Sequence, residues 1–360
     1  MIIMKILFFI PKKLEPSGRF RVLQYIPYLE DRGFKCTVQT FEIFRFPKLP
    51  FLNFKGGKIF NTKLSKLITH FSLFPQLFRV KRAVNYDVIF LQRTLLGFLK
   101  WPILEKAFHR YNRNIIFDFD DSIFRTPERE NLFREIKVRK IIKLSKYVIV
   151  GNKFLKEWVN NDKKTFIIPT VIDTKRFRPK SDYSTSGKTI VGWTGTSSNF
   201  IYLQEIRSVL QKLSERQDVE IRVISNERKI SGLENIPINY VLWKEATEVK
   251  DLQQFDIGIM PLLNNTWTKG KCGFKLIQYM AIGIPFVCSP VGANLGIVNE
   301  GVNGFFAKNE KEWLEHLTYL IEHPEKRLSM GLEARKKAVR EYSVLANIDK
   351  LEKVLRLCAQ

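Results

Sequence analysis

Short apolar runs rich in Ile, Val, Leu and Phe alternate with amphipathic stretches along most of this chain, and no other feature narrows the fold so far. Strands are expected at Lys5–Ile10, Lys35–Phe41, Val88–Leu91, Ile115–Asp118, Val148–Val150 and Thr165–Pro169. Helical segments fall between them at Arg19–Arg32, Ile103–Tyr111 and Lys153–Asn160. Runs that are apolar throughout are buried on both faces. With helices between them, they build a parallel sheet through right-handed crossovers.

From Arg176 to Lys188 the chain turns polar, with Pro and Ser, which marks a linker. The alternation then restarts. Strands are expected at Thr189–Trp193, Glu220–Ser225, Ile238–Leu242, Ile257–Pro261 and Phe286–Ser289. The helices are Phe200–Gln217, Ala246–Gln254, Phe274–Ile282, Glu310–His323, Pro324–Tyr342 and about Val344–Leu357. A chain of 360 residues is long for one core and comfortable as two. The expected architecture is therefore α/β, with two doubly wound, Rossmann-like domains at 1–183 and 184–342 and a closing helix at 343–360. Such sheets bind ligands at the carboxyl ends of their strands, so facing halves would share a cleft.

Charge restricts the partners. Sixty Lys and Arg against 36 Asp and Glu leave a formal +24, an excess that attracts polyanions. Nucleic acid fits poorly, because the basic residues are scattered and there is no zinc-ligand spacing, RNA-binding aromatic signature or basic tail. An anionic membrane surface fits better. Between Phe41 and Phe78, Phe and Leu alternate with Lys and Arg while acidic residues are nearly absent. That composition suits an interfacial anchor, and equally a loop and helix whose Lys stems cover the domain's own apolar surface. No apolar run reaches the roughly 18 residues of a membrane span, and the opening Met1–Ile10 run contains Lys5 and no cleavage site. It is expected to be a buried first strand. Cys36, Cys272, Cys288 and Cys358 fit no disulfide or metal framework and suit reduced thiols in a cytoplasmic protein, with possible peripheral attachment to the inner membrane face.

Three strand ends in the second half carry glycine-bearing polar loops. The first is Gly192-Trp193-Thr194-Gly195-Thr196, running to Asn199, a pattern that serves a helix cap or a phosphate. The second runs from Pro261 through Trp267 and Lys269-Gly270-Lys271 to Gly273-Phe274, and the third holds Val291 and Gly292. Helix Phe274–Ile282 places Lys275 and Gln278 on one face three residues apart, with Lys271 just ahead. Ammonium groups, glycines and a helix N-terminus aimed at one spot suit a diphosphate, and Gln278 suits hydroxyls deeper in. In the first half, Asp118, Asp120 and Asp121 end one strand, while Arg19, Arg21 and Arg93 follow two others. The carboxylates suit a helix cap, a clamp on sugar hydroxyls or proton transfer; a metal lacks further acidic partners. The arginines would face the cleft or pair with Asp120 or Asp121. None of the four histidines, at 70, 109, 316 and 323, lies at a strand end.

With these motifs the chain resembles the retaining, nucleotide-sugar-dependent glycosyltransferases of family 4 type, which have the GT-B fold. The similarity is closest to a subgroup with Gly-Trp-Thr-Gly, here 192–195, and Gly-Lys-Cys-x-Phe-Lys-x-x-Gln-Tyr-Met, here 270–280. It extends to Arg19–Leu29, Phe90–Arg93, Asp118–Asp121, Pro169–Asp173 and the Gly283–Gly292 segment. The resemblance implies transfer of a hexosyl or related group from a nucleoside-diphosphate sugar to a glycan or lipid-linked acceptor, in surface polysaccharide or glycolipid synthesis. It implies no metal or other cofactor. Lys271, Lys275 and Asp120 would carry the chemistry. The loops holding Gly192–Thr196, Lys269–Phe274, Gln278, Val291 and Gly292 would bind the donor. Arg19, Arg21, Arg93, Asp118 and Asp121 would bind the acceptor in the first domain, to which the closing helix would return. The chain departs from the broad family pattern, whose common first-domain His is matched here by the Asp118–Asp121 region. The paired glutamates eight apart fall on Gly270 and Gln278, the usual Arg on Trp193, and its Lys partner near Ser198. These departures leave open a sugar-nucleotide-binding subunit without activity. An epimerase of the same fold would need carboxylate and His pairs that the sequence does not place.

Overall fold

The computed structural model describes residues 3–40, 80–96, 99–126, 131–181, 183 and 187–360. The basic, Phe-rich segment between Phe41 and Phe78 lies outside the described residues. Two six-stranded sheets form the two lobes, and every strand pair in them is parallel.

The N-terminal sheet comprises β1 (Met4–Ile10), β2 (Phe34–Thr40), β3 (Val88–Gln92), β4 (Ile115–Phe119), β5 (Tyr147–Val150) and β6 (Thr165–Ile167), in the order β2-β1-β3-β4-β5-β6. Its strands are apolar because both faces are covered. Leu7 and Phe9 of β1 pack with Phe108, Val138 and Leu155 on one side. Ile6, Phe8 and Ile10 meet Tyr25, Leu29, Ile348 and Leu351 on the other. Helix Val344–Ala359 thus packs on the N-terminal sheet although it ends the chain. The C-terminal sheet comprises β7 (Thr189–Thr194), β8 (Val219–Ser225), β9 (Ile238–Leu242), β10 (Ile257–Met260), β11 (Phe286–Cys288) and β12 (Phe305–Phe306), ordered β12-β11-β10-β7-β8-β9. In both sheets the order reverses beside the first strand, which opens a crevice at the carboxyl edge.

Several elements differ from expectation. The helix expected at Arg19–Arg32 is broken into Pro16–Arg21, a single 3-10 turn at Leu23–Tyr25, and Ile26–Glu30. Val22 leaves helical geometry at φ −129°, and Pro27, which has no N–H to donate, sits in the first turn of the last piece. The Phe200–Gln217 helix is likewise split into Phe200–Gln204 and Arg207–Ser214. Strand β12 has only two residues, too few for periodicity to reveal.

The lobes touch along their carboxyl edges. Phe20 of the N-terminal lobe lies 4.2 Å from the Phe274 ring, centroid to centroid. Asn152, which caps helix Lys153–Val159 through its Oδ1, donates its Nδ2 to the carbonyls of Gly270 and Lys271 at 3.1 and 3.2 Å.

Candidate functional site

In the C-terminal lobe, loops from the ends of β7, β10 and β11 converge on helix Phe274–Ala281. After β10 the chain forms a short helix, Thr266–Lys269, closed by reciprocal capping between Asn265 and Thr268. Gly273, at φ 68°, then turns it into the longer helix. A Cβ there would be strained and would sit 2.3 Å from an Ile297 methyl. Gly292, at φ 58°, closes the loop after β11 with its missing Cβ 2.5 Å from the Lys269 carbonyl oxygen. The two loops interlock, so the motif's glycines hold the protein's own backbone in place.

The lysines sit at the head of this arrangement. Lys271 Nζ donates to Asn199 Oδ1 at 3.0 Å, tying the loop after β7 to the loop after β10. It also lies over the Tyr202 and Trp267 rings at 5.4 and 5.8 Å. Lys275 Nζ stands 5.0 Å over the Trp193 ring and has no hydrogen bond or ion pair with a described residue. Lost hydration and the Lys271 charge pull its pKa from 10.5 down to about 7, against the opposing pull of Cys272 and Asp121. An amine so placed gains more from an arriving anion than a solvated one does. The Gln278 side chain is buried nearby, without a hydrogen bond to a described residue.

In the N-terminal lobe the three aspartates at the end of β4 have three different surroundings. Asp118 is gripped by Arg21, whose Nε donates at 3.1 Å and whose Nη2 makes a second, shorter contact. Arg21 Nη1 also donates to the Ile168 carbonyl at 2.7 Å. This pair is buried, and burial lifts the Asp118 carboxyl in spite of Arg21. The Arg21 ion pair thus falls on Asp118 instead of Asp120 or Asp121. Asp120 is buried and accepts from Thr170 Oγ1 at 2.9 Å, while its Oδ1 has no partner. Asp121 meets Arg93 Nη2 at 3.0 Å. Burial and the adjacent Asp120 push Asp121 upward, opposed by Arg93, Lys271 and Lys275, so its charge is felt by both lysines of the other lobe. Arg93 itself is held at φ 62°, a sparsely populated region for a side-chain-bearing residue, and its N–H donates to the Asp118 carbonyl at 2.8 Å.

Buried polar atoms without partners collect along the same edge: Ser17 Oγ, both amide atoms of Gln92, Arg93 Nε and Asp120 Oδ1. Such atoms are costly to leave unmet in a folded protein, and a hydroxyl-rich ligand or bound water satisfies them.

Other expected residues are placed differently. Gly192 lies within β7, and its missing Cβ would fall 2.1 Å from the Phe255 ring, so it makes room for core packing. Trp193 is 1% exposed and packs against Phe200, presenting only a ring edge and face to Lys275 and Gly195. Thr194 and Val291 are buried, whereas Thr196 and Lys269 are exposed. Gly270 sits against Ser122 of the other lobe, whose Oγ would be 1.8 Å from an added Cβ. Arg19 crosses the lobe boundary: both its terminal nitrogens pair with Glu248, and Arg176 joins them at 3.3 Å. Its guanidinium is 5.3 Å over Trp243. The sequence gives no local sign of the Arg19–Glu248 pair, because the two residues are 229 positions apart. Asn152 could have been found as a polar residue between an apolar run and a helix, but its second bond, across the lobes, could not.

Among the described residues, no group of three His, Cys, Asp or Glu side chains could hold a metal ion, and no helix is long and apolar enough to cross a membrane. Residues 191–323 match the family described as glycosyl transferases group 1. No curated protein sequence matches the chain significantly. Among solved structures, HepE of Anabaena in complex with UDP and glucose is 15% identical, with a TM-score of 0.70 over 98% of this chain and 99% of that one. Sucrose-phosphate synthase from Thermosynechococcus elongatus is 14% identical, with a TM-score of 0.73 and 98% of each chain covered. A glycosyltransferase from Rickettsia africae is 13% identical, with a TM-score of 0.69 and full coverage of both chains. These likenesses establish the two-domain α/β fold of GT-B type. Beyond the fold, the match of residues 191–323 supports sugar transfer.

Proposed function

We propose that the chain is a retaining glycosyltransferase that moves a hexosyl or related group from a nucleoside-diphosphate sugar to a glycan or lipid-linked acceptor in cell-surface polysaccharide or glycolipid synthesis. The observation that carries this reading is the pair of ammonium groups on Lys271 and Lys275 at the head of helix Phe274–Ala281, with Asp120 and Asp121 across the cleft. The diphosphate lies at the helix N-terminus among the loops after β7, β10 and β11, and Gln278 meets the donor's hydroxyls. As the bond between the anomeric carbon and the diphosphate oxygen breaks, the two ammonium groups and the helix N–H groups stabilise the charge that develops. Asp120, whose Oδ1 is unmet, takes the proton of the acceptor hydroxyl as that hydroxyl's oxygen replaces the diphosphate on the anomeric carbon. Arg93 and Asp121 position the acceptor. Arg21 and Asp118 act behind them by fixing the end of β4.

One observation favours a second reading, a sugar-nucleotide-binding subunit without turnover. Gly270, where the family carries a glutamate, is packed against Ser122 and leaves no room for a side chain. Nucleoside-diphosphate release from a panel of donors, with and without acceptor, separates the possibilities. Transfer requires acceptor, epimerisation proceeds without one, and a binding subunit gives a donor-dependent thermal shift with no release. Absence of both shift and release overturns the proposed function.

A further inference from the structure

Outside the cleft, one cluster of side chains is left without an explanation by sugar transfer. Trp101 in the loop before helix Ile103–Tyr111 is 53% exposed, and Leu132 and Phe133 at the start of helix Leu132–Leu144 are 67% and 55% exposed. Ile136, one turn on, is also exposed. Large apolar side chains exposed singly are ordinary, but a contiguous group is not.

Two reciprocal contacts make these residues one surface. Lys100 of the loop reaches across to the Phe133 ring at 4.4 Å, and Lys140 of the helix reaches back to the Trp101 ring at 3.7 Å. Phe133, Ile136 and Lys140 follow the i, i+3, i+7 spacing of a single helix face. Arg134 and Lys143 extend the positive charge into solvent. The acidic groups of these two helices do not offset it at the surface: Glu105 is buried, accepting from the Leu95 N–H, and Glu135 is tied to Arg139 at 2.9 Å. Among the described residues, the result is a set of aromatic and aliphatic side chains with ammonium groups over its two exposed rings.

Position in the fold gives this surface a direction. Helix Ile103–Tyr111 follows β3 and helix Leu132–Leu144 follows β4, so both start at the carboxyl edge of the sheet. Arg93, Asp120 and Asp121 stand at that same edge. The apolar patch therefore borders the acceptor side of the cleft.

We infer that this patch docks the protein on a bilayer containing anionic lipid, with Trp101, Leu132 and Phe133 seated at the acyl boundary and Lys100, Arg134, Lys140 and Lys143 among the headgroup phosphates. Charge complementarity selects this occupant over a second copy of the chain, because two copies face to face would bring the same cations together. The docked face presents the carboxyl edge of the N-terminal lobe to the membrane, where a lipid-linked acceptor is within reach. The inference needs no sugar transfer to be true, and its test uses none.

The full chain is sedimented with vesicles of phosphatidylcholine alone and of phosphatidylcholine with phosphatidylglycerol, without donor or acceptor. The wild type is expected to bind only the anionic vesicles and to be released by salt. The Trp101→Ala/Phe133→Ala variant should lose about tenfold or more in partitioning, the scale expected from removing two buried aromatic side chains. Lys100→Gln/Lys140→Gln should weaken binding to the anionic vesicles. Leu328→Ala/Leu332→Ala, which removes exposed apolar groups on the C-terminal lobe, should leave it unchanged. Circular dichroism and sedimentation velocity of each variant check folding and association. Wild-type protein that ignores anionic vesicles overturns the inference. So does vesicle binding that survives in the aromatic double variant, or that disappears only when the basic residues between Arg45 and Lys66 are neutralised. A shift from dimer to monomer in the aromatic variant, with vesicle binding intact, assigns the patch to a second copy and overturns it equally.

Discussion

Replacing Lys275 with Met should lower catalysis and leave the fold at least as stable, a combination that a merely structural lysine would not give. The methionine keeps the stem that passes Gly195 and lies over Trp193, and removes only the ammonium. An ammonium about 4 Å from a phosphate charge, at an effective dielectric near 20, is attracted by about 4 kcal/mol. Part of that is lost to desolvation, and removal of one oriented charge stabiliser typically costs about 10²–10³ in rate. The expected loss in kcat/KM is therefore about a hundredfold near pH 6, where Lys275 in the wild type is charged. Because its pKa in the free protein is about 7, donor binding must recruit a proton above that pH. Wild-type donor affinity, measured by calorimetry, should fall about tenfold from pH 6 to pH 8, and the variant's should stay flat. Stability carries the opposite sign. Between about pH 7 and 10.5 the unfolded chain holds a proton on this amine that the native protein lacks, so the Lys275 contribution makes wild-type stability rise with pH. Lys275→Met should lack that rise and should not melt earlier at pH 6. A variant that keeps kcat/KM within about threefold, or whose donor affinity still falls with pH, would falsify the placement of this amine at the diphosphate.

Asp120→Asn should reduce turnover about a hundredfold, the scale of losing a positioned proton acceptor, with little change in donor affinity by calorimetry; equal loss of both would move Asp120 to the donor. Arg19→Met should cost about 1–3 kcal/mol in denaturant unfolding, because it leaves the buried Glu248 carboxylate with only Arg176 and the Trp243 N–H as partners, and Glu248→Met added to it should recover much of that. No recovery in the double variant would mean that Arg19 acts through something other than this pair. Gly270→Glu, which installs the carboxylate the broader family carries, should lower activity and melting temperature, since its Cβ collides with Ser122. Increased turnover would show that the lobes stand further apart during catalysis than they do here.

Much of the architecture was legible because burial on both faces forces continuous apolar strands, which a sequence displays directly. Boundaries failed where a local event overrode periodicity, as when Val22 and Pro27 divide the first helix and Ile206 interrupts the Phe200–Gln217 stretch. The motif around Lys271 and Lys275 was legible for a related reason: glycine, ammonium and helix start are adjacent in sequence, and the fold keeps them together. What could not be read was partnership at long range. Nothing near Arg19 announces Glu248, and nothing near Asn152 announces the Gly270 carbonyl. Gly192 and Trp193 show the reverse error. A glycine and an aromatic beside a polar loop look available to a ligand, yet Phe255 fills the space beside the first and the core takes the second.

The charges of the two lobes are complementary across the boundary, and that arrangement bears on the order of events. Cations gather on the C-terminal side at Lys271 and Lys275, and the carboxylates of Asp120 and Asp121 face them from the N-terminal side. Without donor, the Asp121 carboxylate is felt by both lysines, and the contacts of Asn152 with Gly270 and Lys271 hold the lobes against each other. A diphosphate arriving at the lysines supplies compensation itself and leaves Asp121, and through it the adjacent Asp120, less well compensated than before. Their need for hydrogen-bond donors rises at the moment the donor sugar is in place, and an acceptor's hydroxyls are suited to meet it. Donor binding should therefore tighten acceptor binding, and linkage requires the reverse to the same degree. The two carboxylates lie on the far side of the cleft from the lysines, so Asp121→Asn should weaken this mutual enhancement while donor affinity in the absence of acceptor holds or improves. Calorimetric titration of donor, with and without saturating acceptor, measures it. Equal donor affinities in the two titrations of the wild type would mean that the charges across the cleft are independent.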